Sequence, residues 1–470
     1  MRTRATLAAV AMLGLLAGCA GPRPRLPTDA TVVPPPAWRG TASGLAGELS
    51  PTWWEAFGDP GLTGIVAAAL ANNDDIKIAA ARVAQLVAQS ELARAQRLPN
   101  VNGAIDLQRS RSVSPFLTPE LQTVHEPLVT LSYDADLFGR LRLASDAVRA
   151  QLLATRAAQA DVRLLVAATA ARLWFTLRAL DARLDTLRAT LVARQETLHL
   201  LQRQVAAGYA ARLDLTQAEA DLWSTEQQIP GTELAIRRTE DGLSLLLGRN
   251  PGDIERGASR LQPAQPAVPA TLPSVLLRRR PDIVEAEGLL VAADRELDAS
   301  RAAFMPDVQL SASLGRVSST LLNNPINVFM LGASVLAPIF DAGRLKAQED
   351  ASAALRDQAA FAYRKAVLNA FAEVEDSLAA TQRLRQQLDA LLAQEQALRR
   401  SFQIASERYR AGYSPFLDQL DAQRNLLSVQ LAIAQARADH LSAYVTLFQA
   451  LGGGWDRALV DAPGAPASSP

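Results

Sequence analysis

The side chains of this sequence that could do chemistry are few and scattered. Cys19 is the only cysteine, so an internal disulfide is impossible. His125, His199 and His440 have no cysteine partner and no H-E-x-x-H spacing, so neither a metal site nor a catalytic triad is expected. Gly452-Gly453-Gly454 lacks the Lys and Ser/Thr of a phosphate-binding loop and predicts a helix stop. The sequence therefore predicts no enzyme, no cofactor and no metal.

The residues before Cys19 predict export. Met1-Arg2-Thr3-Arg4 is basic, and an apolar run from Ala5 to Leu16 follows it. Small residues precede the cysteine, and together these features predict a signal peptide over residues 1–18. An ordinary signal peptide that happens to contain a cysteine is one interpretation of this pattern.

Cys19 itself favours a different interpretation. Leu16-Ala17-Gly18-Cys19 resembles the bacterial lipobox, whose cysteine becomes the lipid-modified first residue of the mature protein. A free thiol would be unusual in an oxidising periplasm, which supports this interpretation. Ala20-Gly21 lacks the aspartate that retains many lipoproteins at the inner membrane. We therefore expect covalent lipid on Cys19 and sorting to the outer membrane, with the rest of the chain extending into the periplasm.

The charge balance excludes one class of partner. The chain has 470 residues, with 48 Lys+Arg against 48 Asp+Glu, and 49% of its residues are hydrophobic. Such a length is enough to bury a sizeable core. A balanced charge provides no field that would attract nucleic acid, so no nucleic-acid partner is expected.

The two halves of the chain repeat one another. Asp75-Ile76 and Asp282-Ile283 are each followed 23 residues after the isoleucine by a proline. Gly139-Arg140-Leu141 and Gly343-Arg344-Leu345 each precede a Gly-Tyr pair by 69 residues, counted from glycine to glycine. Those pairs are Gly208-Tyr209 and Gly412-Tyr413. Agreement at three anchors indicates an internal tandem repeat.

Each repeat contains a very long helix. Neither proline nor glycine occurs between Leu141 and Ala206, or between Leu345 and Ala411. The predicted helices, over about residues 141–207 and 344–411, would each run roughly 100 Å. Leucines recur every seven residues along both, which predicts that helix packs on helix as in a coiled coil.

Alternating apolar and polar residues predict four strands, at about 101–109, 127–135, 307–315 and 328–337. Each has about the length that a tilted barrel strand needs to cross a bilayer. The segments between them, around 115–126 and 318–327, are predicted to be loops. Four strands cannot close a barrel, so several chains must combine their strands, and three copies give twelve. The residues alone therefore predict a fold class that is mainly α with a small β part: a tandem repeat of long helices that pack lengthwise, plus four strands per chain that must combine with those of other copies.

The remaining segments complete the predicted organisation. Residues 19–60 hold the lipid anchor and an N-terminal tether, residues 250–273 form a linker rich in Pro, Ala and Gly, and residues 453–470 form a tail. Residues 61–249 and 274–452 are the two repeats. Each repeat begins with a helix and ends with another helix after its long one, over about 211–247 and 415–450.

Motifs spread from Trp53 to Trp455 carry a family resemblance. Trp53-Trp54-Glu55-Ala56-Phe57-Gly58-Asp59-Pro60 and Leu277-Arg278-Arg279-Arg280-Pro281-Asp282-Ile283 stand at the starts of the two repeats. The run Leu420-Asp421-Ala422-Gln423-Arg424 and the final Gly452-Gly453-Gly454-Trp455 follow. In order and spacing they resemble outer-membrane efflux channels of the TolC/OprM type, in the NodT lipoprotein branch. The resemblance implies a homotrimer in which the long helices form a coiled-coil barrel and the four strands of each chain join a trimeric twelve-stranded outer-membrane β-barrel, with an equatorial belt built from termini and linker. It also implies a periplasmic adaptor protein and an inner-membrane pump of the resistance-nodulation-division (RND) class as partners.

The same resemblance implies a gate. In this family the tunnel closes at its periplasmic tip, which places Leu417, Asp418 and Asp421 at the constriction, with Asp214 as the first-repeat counterpart of Asp418. Three copies of each carboxylate around one axis would repel one another. Such a ring would be a weak lock, which an adaptor could release by moving the helices apart. A solvated helix N-terminus, where acids are favoured anyway, is the alternative for Asp418 and Asp421.

The Gly-Tyr pairs are candidate hinges. Gly208-Tyr209 and Gly412-Tyr413 each end a long helix and precede a new one. Glycines just past a helix C-terminus do this in plain turns as well. Both interpretations, a moving hinge and a static turn, stay open at this point.

Three functions fit the sequence. A passive outer-membrane channel for drugs or other small molecules in a tripartite efflux system, with an iris-like periplasmic gate, is the leading hypothesis. A type I protein-secretion channel of the same fold is the second. A periplasmic coiled-coil lipoprotein without a pore is the third.

Overall fold

The computed structural model describes residues 21–39, 49–113, 119–256, 266–267 and 273–455. Cys19, most of the predicted linker and most of the predicted tail lie outside the described residues. The chain forms two compact units. Of the described residues, the first comprises those within 21–32, 82–156 and 285–365, and the second comprises those within 33–81, 157–284 and 366–455.

Nine α-helices and four strands make up the described part of the chain, together with two short 3-10 helices, Thr28–Ala30 and Trp53–Phe57. The elements are α1 (Pro60–Asn72), α2 (Asp74–Ala95), β1 (Asn100–Val113), β2 (Pro119–Asp134), α3 (Arg140–Ala206), α4 (Arg212–Glu226), α5 (Gln228–Leu246), α6 (Pro273–Arg279), α7 (Pro281–Ala302), β3 (Asp307–Ser319), β4 (Ile326–Leu336), α8 (Arg344–Arg410) and α9 (Phe416–Ala450).

The two long helices, α3 and α8, lie within one residue of their predicted bounds, and each has 67 residues. A carboxylate stabilises the start of each. The Asp136 side chain accepts hydrogen bonds from the backbone N–H groups of Leu141 (2.9 Å) and Arg142 (2.8 Å). In the second repeat, Asp341 accepts one from Leu345 at 2.9 Å. These bonds satisfy N–H groups that have no partner within the helix.

Three shorter helices predicted as single elements are in fact broken, so those predictions were wrong. The helix predicted at 211–247 is α4 and α5, because Pro230 has no N–H with which to continue the helical ladder past Glu226. The first helix of repeat one divides at Asn73, whose side chain caps Asp75 and Ile76. The first helix of repeat two divides before Pro281, which likewise favours a new helix start.

The first unit contains an antiparallel sheet in the order β1-β2-β3-β4. Its strands have 14, 16, 13 and 11 residues, longer than most of the predicted runs. The loop predicted at 115–126 is mostly strand: β2 begins at Pro119 and pairs with β1 from Val113↔Pro119 to Asn100↔Ser132. Cross-strand pairing therefore continues where the local sequence, rich in turn-forming residues, favours a loop.

Large apolar side chains on these strands remain exposed in the single chain. Ile105 is 73% exposed, Phe329 is 78% exposed and Leu331 is 79% exposed. No helix within the described ranges combines the length and the apolar character that a membrane crossing needs.

The second unit has an aromatic core built around the Trp53–Phe57 3-10 helix. Trp53 stacks on Phe448 of α9 with ring centroids 5.4 Å apart, and Phe57 packs on Phe175 of α3 at 5.2 Å. The Asp59 carboxylate accepts a hydrogen bond from Trp174 Nε1 at 2.8 Å and also caps α1. The opening motif of the sequence therefore holds α1 against α3 and α9.

Candidate functional site

Both Gly-Tyr turns lie in the second unit, and both have the same geometry. The Tyr209 N–H donates to the Gln204 carbonyl at 2.8 Å, and the Tyr413 N–H donates to the Arg408 carbonyl at 2.8 Å. Gly208 and Gly412 adopt φ of +80° and +76°. These are Schellman turns, in which a left-handed glycine ends the helix and its last carbonyls are satisfied.

One apolar cluster joins the two turns. Its buried members come from α3, α4 and α9, and α8 contributes the partly buried Tyr409. The buried residues are Leu201, Ala218, Phe416 and Leu420, with Leu198, Ala210, Leu215 and Tyr409 packed against them. The Tyr409 and Phe416 rings lie 5.5 Å apart. The α3–α4 hairpin and the α8–α9 hairpin therefore meet through buried side chains at their turns.

The structure places the predicted gate residues on the surface beside this cluster. Leu417 is 44% exposed, and Asp418 and Asp421 are both exposed on the first two turns of α9. Asp214 is half-buried in the first turn of α4. Burial of the Tyr409 hydroxyl raises its pKa, and the negative charge of Asp214 raises it further. Tyr209 and Tyr413 are 87% and 79% exposed. In the single chain, Leu417, Asp418 and Asp421 thus form an exposed edge of α9 that other copies of the chain can contact.

A buried charged network lies next to that edge, and we call it the Asp221 network. Asp221 of α4 is 4% exposed and pairs with Arg194 of α3 at 2.7 Å and with Arg424 of α9 at 2.8 Å. Arg194, also 4% exposed, donates to the Asp221 carbonyl and to the Thr225 hydroxyl. One carboxylate therefore holds three helices together, and Arg424 is its half-exposed member.

Sequence reasoning named neither Arg194 nor Asp221, although a signal was present. Leu187, Arg194 and Leu201 follow one another at heptad spacing, so the arginine occupies a position where the apolar seam continues. A charge at a seam position needs a buried partner of opposite sign. That partner comes from another helix, which periodicity within one helix cannot identify. Arg424 belongs to a quoted motif, but its contact with Asp221 was not foreseen.

A second charged cluster surrounds Arg280, between α6 and α7. Its guanidinium pairs with Asp282 at 2.7 Å and Glu373 at 2.7 Å, and it donates to the carbonyl of Ala450 at 3.0 Å. Asp161 of α3 lies within the same field. Burial, reinforced by Asp282, raises the pKa of the Asp161 carboxyl to about 6.

The three glycines after α9 close against this region. Gly452, Gly453 and Gly454 all have positive φ, as the predicted helix stop requires. A Cβ on Gly452 would lie 2.3 Å from the Arg279 carbonyl oxygen, and one on Gly454 would lie 2.5 Å from that of Ser50. The chain therefore needs glycine here for close backbone contact as well as for the turn.

These features place the chain in the class of outer-membrane channel proteins. They are two long helical hairpins with an adjoining gate-like edge, and four antiparallel strands that expose apolar side chains. The family model described as outer membrane efflux protein matches residues 65–249 and 272–453. The chain belongs to this outer membrane efflux protein family.

Relatives with known names agree with this assignment. The chain is 34% identical over 408 residues to the solvent efflux pump outer membrane protein SrpC of Pseudomonas putida, covering 85% of this chain and 87% of that protein. It is 33% identical over 456 residues to the pyoverdine export outer membrane protein OpmQ of Pseudomonas aeruginosa, covering 94% and 95%. The solved structure of the outer-membrane channel OprN superposes with a TM-score of 0.85 at 28% identity, covering 93% of this chain and all of that one.

These findings confirm the mainly α fold class with four strands per chain, and they confirm the leading functional hypothesis. The protein is an outer-membrane channel of a tripartite efflux system. The two alternatives, type I protein secretion and a lipoprotein without a pore, are set aside because the named relatives are efflux proteins.

Proposed function

We propose that three copies of this chain form a lipid-anchored export channel whose gate is the α9 edge of Leu417, Asp418 and Asp421, with Asp214 beside it. The observation that carries the proposal is the Asp221 network. It ties the gate-bearing helix α9 to α4 and α3 through Arg424 at 2.8 Å. Breaking this half-exposed contact would remove the charged tie to α9 while Asp221 keeps Arg194 as its partner, and the apolar cluster would still hold the start of α9 against α3 and α4.

The exposed edge strands support the trimer. Within the described part of the chain, β1 and β4 each pair on one side only. An unpaired strand edge is a template for pairing with another chain, and only a closed barrel removes such edges. Three copies would combine twelve strands, enough for a barrel to close.

The partners and cargo follow from the efflux role. A passive channel needs an energy source elsewhere, so we propose a periplasmic adaptor protein and an inner-membrane RND pump as its partners. The relatives named above serve solvent efflux and pyoverdine export. We therefore propose drugs and other small organic molecules as the class that passes through. We propose no metal and no cofactor for the gate, and covalent lipid on Cys19, anchored in the outer membrane, is the one proposed non-protein group.

Conductance in planar bilayers tests the gate. Asp421→Ala is expected to raise the conductance, because it removes a charged ring from the constriction. Arg424→Gln is expected to raise the open fraction about fivefold, since a half-exposed ion pair contributes about 1 kcal/mol. Asp439→Ala, at an exposed acid further along α9, is the matched control and should change nothing.

The outcomes separate the gate from the channel. Conductance that stays at the wild-type level in both gate variants would place the constriction elsewhere in the protein. No conductance in any variant, from protein shown to be folded and assembled, would overturn the channel itself.

A further inference from the structure

The first described residues of the chain lie along two helices of the first unit. We call residues 21–25 the N-terminal strap. They precede the Thr28–Ala30 3-10 helix, in which Ala30 is buried. Their contacts are with α7 and α8, far away in sequence.

Arg356 of α8 binds the main chain of the strap. Its side chain is 1% exposed. Its two terminal nitrogens donate to the carbonyl oxygens of Pro24 at 2.7 Å and Arg25 at 2.9 Å. Asp357 accepts hydrogen bonds from the same guanidinium, which fixes its orientation. A buried arginine is here directed at backbone rather than at a single acid.

Arg301 repeats the arrangement at the other end of the strap. It donates to the carbonyl oxygens of Gly21 at 2.8 Å and Pro22 at 3.4 Å. Glu349, 2% exposed, pairs with the same guanidinium and links α7 to α8. Two arginines on two helices therefore bind four of the five carbonyls of the strap, all except that of Arg23.

The strap contributes one side-chain contact of its own. Arg23 pairs with Asp294 and Asp298, both at 2.8 Å, on successive turns of α7. The hydrogen bonds that Arg23 donates to these two carboxylates raise the pKa of its guanidinium. The strap is therefore held by ion pairs on α7 and by guanidinium donors on both helices.

The chemistry of the two sides is complementary. Pro22 and Pro24 have no N–H, so they offer the helices carbonyl acceptors only. A guanidinium has five N–H donors in a fixed fork and no acceptor. Proline also fixes φ, so the segment loses less entropy when it binds. Two effects therefore favour the binding of a proline-rich main chain by arginines: the acceptors match the donors, and less conformational entropy is lost.

The order of contacts gives the strap a direction. Gly21 is bound by Arg301, in the last turn of α7 and six residues before β3 begins at Asp307. Arg23 is bound further back along α7, and Arg25 further along α8. The chain end nearest Cys19 therefore points to the strands, and two residues span at most about 7 Å.

We propose that Arg301 and Arg356 are positioning residues that hold residues 21–25 as a bound strap, so that lipid on Cys19 joins the protein at a fixed place beside the strands. This inference rests on the lipidation proposed above. With the strap released, Ala30 becomes the next buried residue, and the tether lengthens from two residues to eleven, about 37 Å when extended.

Trypsin cleavage at the Arg25–Leu26 bond measures the strap directly. Cleavage follows the population of released strap when release and rebinding are fast. Arg356→Gln is expected to speed cleavage at this bond about tenfold, because it removes two charge-assisted hydrogen bonds. Arg356→Lys keeps the charge but not the fork, and should fall between Arg356→Gln and wild type. Cleavage at other sites should speed up much less than cleavage at this bond, so the ratio of the two rates distinguishes release of the strap from a general loss of stability.

Arg23→Ala provides a second variant that cannot disturb the helices, and it should speed the same cleavage about threefold. Arg364→Gln, at an exposed arginine about two turns further along α8, is the matched control and should have no effect. Wild-type cleavage rates in both Arg356→Gln and Arg23→Ala would overturn the strap.

Lipidation is tested separately in the same set. Labelled palmitate should enter wild type and all strap variants but not Cys19→Ser. No label in wild type, with tenfold faster cleavage in Arg356→Gln, would refute the lipid anchor and leave the strap standing. Label in wild type, with unchanged cleavage in Arg356→Gln and Arg23→Ala, would refute the strap and leave the lipid anchor standing.

Discussion

Buried charges in this protein bind helices to one another and to irregular backbone. The Asp221 network, the cluster around Arg280 and the strap arginines all place a guanidinium at a junction between separate segments. Leaving one member of such a group unpaired costs several kcal/mol, so each group constrains the geometry of its segments. Asp161 differs from these, because the charges around it include more acids than bases.

Asp161 should make stability depend on pH. Its pKa is raised from 3.8 to about 6, mainly by burial, so the folded protein binds its proton more tightly than the unfolded chain does. Stability is therefore lost as pH rises from 3.8 to about 6, and the full penalty persists above that. Asp161→Asn should raise the free energy of unfolding by up to about 3 kcal/mol at pH 7.5 and leave it unchanged near pH 3.5.

Unfolding midpoints in detergent at the two pH values check this prediction. Asp439→Asn, at an exposed acid of α9, is the control and should shift neither midpoint. Equal stabilisation by Asp161→Asn at both pH values would mean that its effect is on packing rather than on ionisation.

At the scale of the residue, sequence motifs named the exposed residues of the candidate gate but not the buried charged residues next to them. Asp421 and Leu417 lie in a recognisable run after a Gly-Tyr turn. Arg194 lies in a leucine seam, and its significance depends on Asp221, 27 residues away on another helix. The pairing of residues on different helices is set by tertiary packing, which no single-helix pattern contains.

At the scale of the element, the two repeats have diverged after their turns. The second repeat continues as one 35-residue helix, α9, whereas the first is divided into α4 and α5 with 15 and 19 residues. The long helices and their turns were predictable because they depend on local features: no proline or glycine inside, and glycine at the end. The helix breaks at Asn73 and Pro230 also have local causes, a capping side chain and a missing N–H group. The repeat pattern nevertheless predicted a single helix at each of these places.

The glycines of the Gly-Tyr turns should be required because of their positive φ, and not because a larger side chain would clash with its neighbours. A Cβ at Gly412 would meet nothing within 4 Å, but φ is +76°. Gly412→Ala should therefore lower stability by about 1 kcal/mol. Gly231→Ala, inside α5 and also in open space, should raise stability by up to about 1 kcal/mol. Thermal unfolding of the two variants should shift in opposite directions, and a hinge role would add a change in conductance for Gly412→Ala alone.

At the scale of the whole molecule, strand number predicted assembly. Four strands with exposed apolar side chains and two unpaired edges cannot be a finished structure in a bilayer. The number of copies came from the family resemblance, because strand count alone allows two copies as well as three: about eight strands is the practical minimum for a barrel. The extension of β2 back to Pro119 was not predictable, because pairing with β1 overrides its local turn signals.

The mass of the purified protein in detergent should be three times that of the chain. Light scattering with detergent correction provides the measurement. Cys19→Ser should leave this mass unchanged, because strand pairing rather than the lipid holds the copies together. A stable single subunit, extracted from membranes without any larger species, would contradict both the trimer and the channel built from it.

The strap also bears on how such proteins diverge over time. Arginines that bind carbonyls do not recognise the side chains of the segment they hold, so among residues 21–25 only Arg23 makes side-chain contacts that a substitution would lose, provided that the backbone stays extended. The family match begins at residue 65, yet it includes Arg301 and Arg356. Homologous channels whose leading segments share no sequence could therefore hold them in the same manner, and an alignment would reveal the shared feature only in the two receiving arginines.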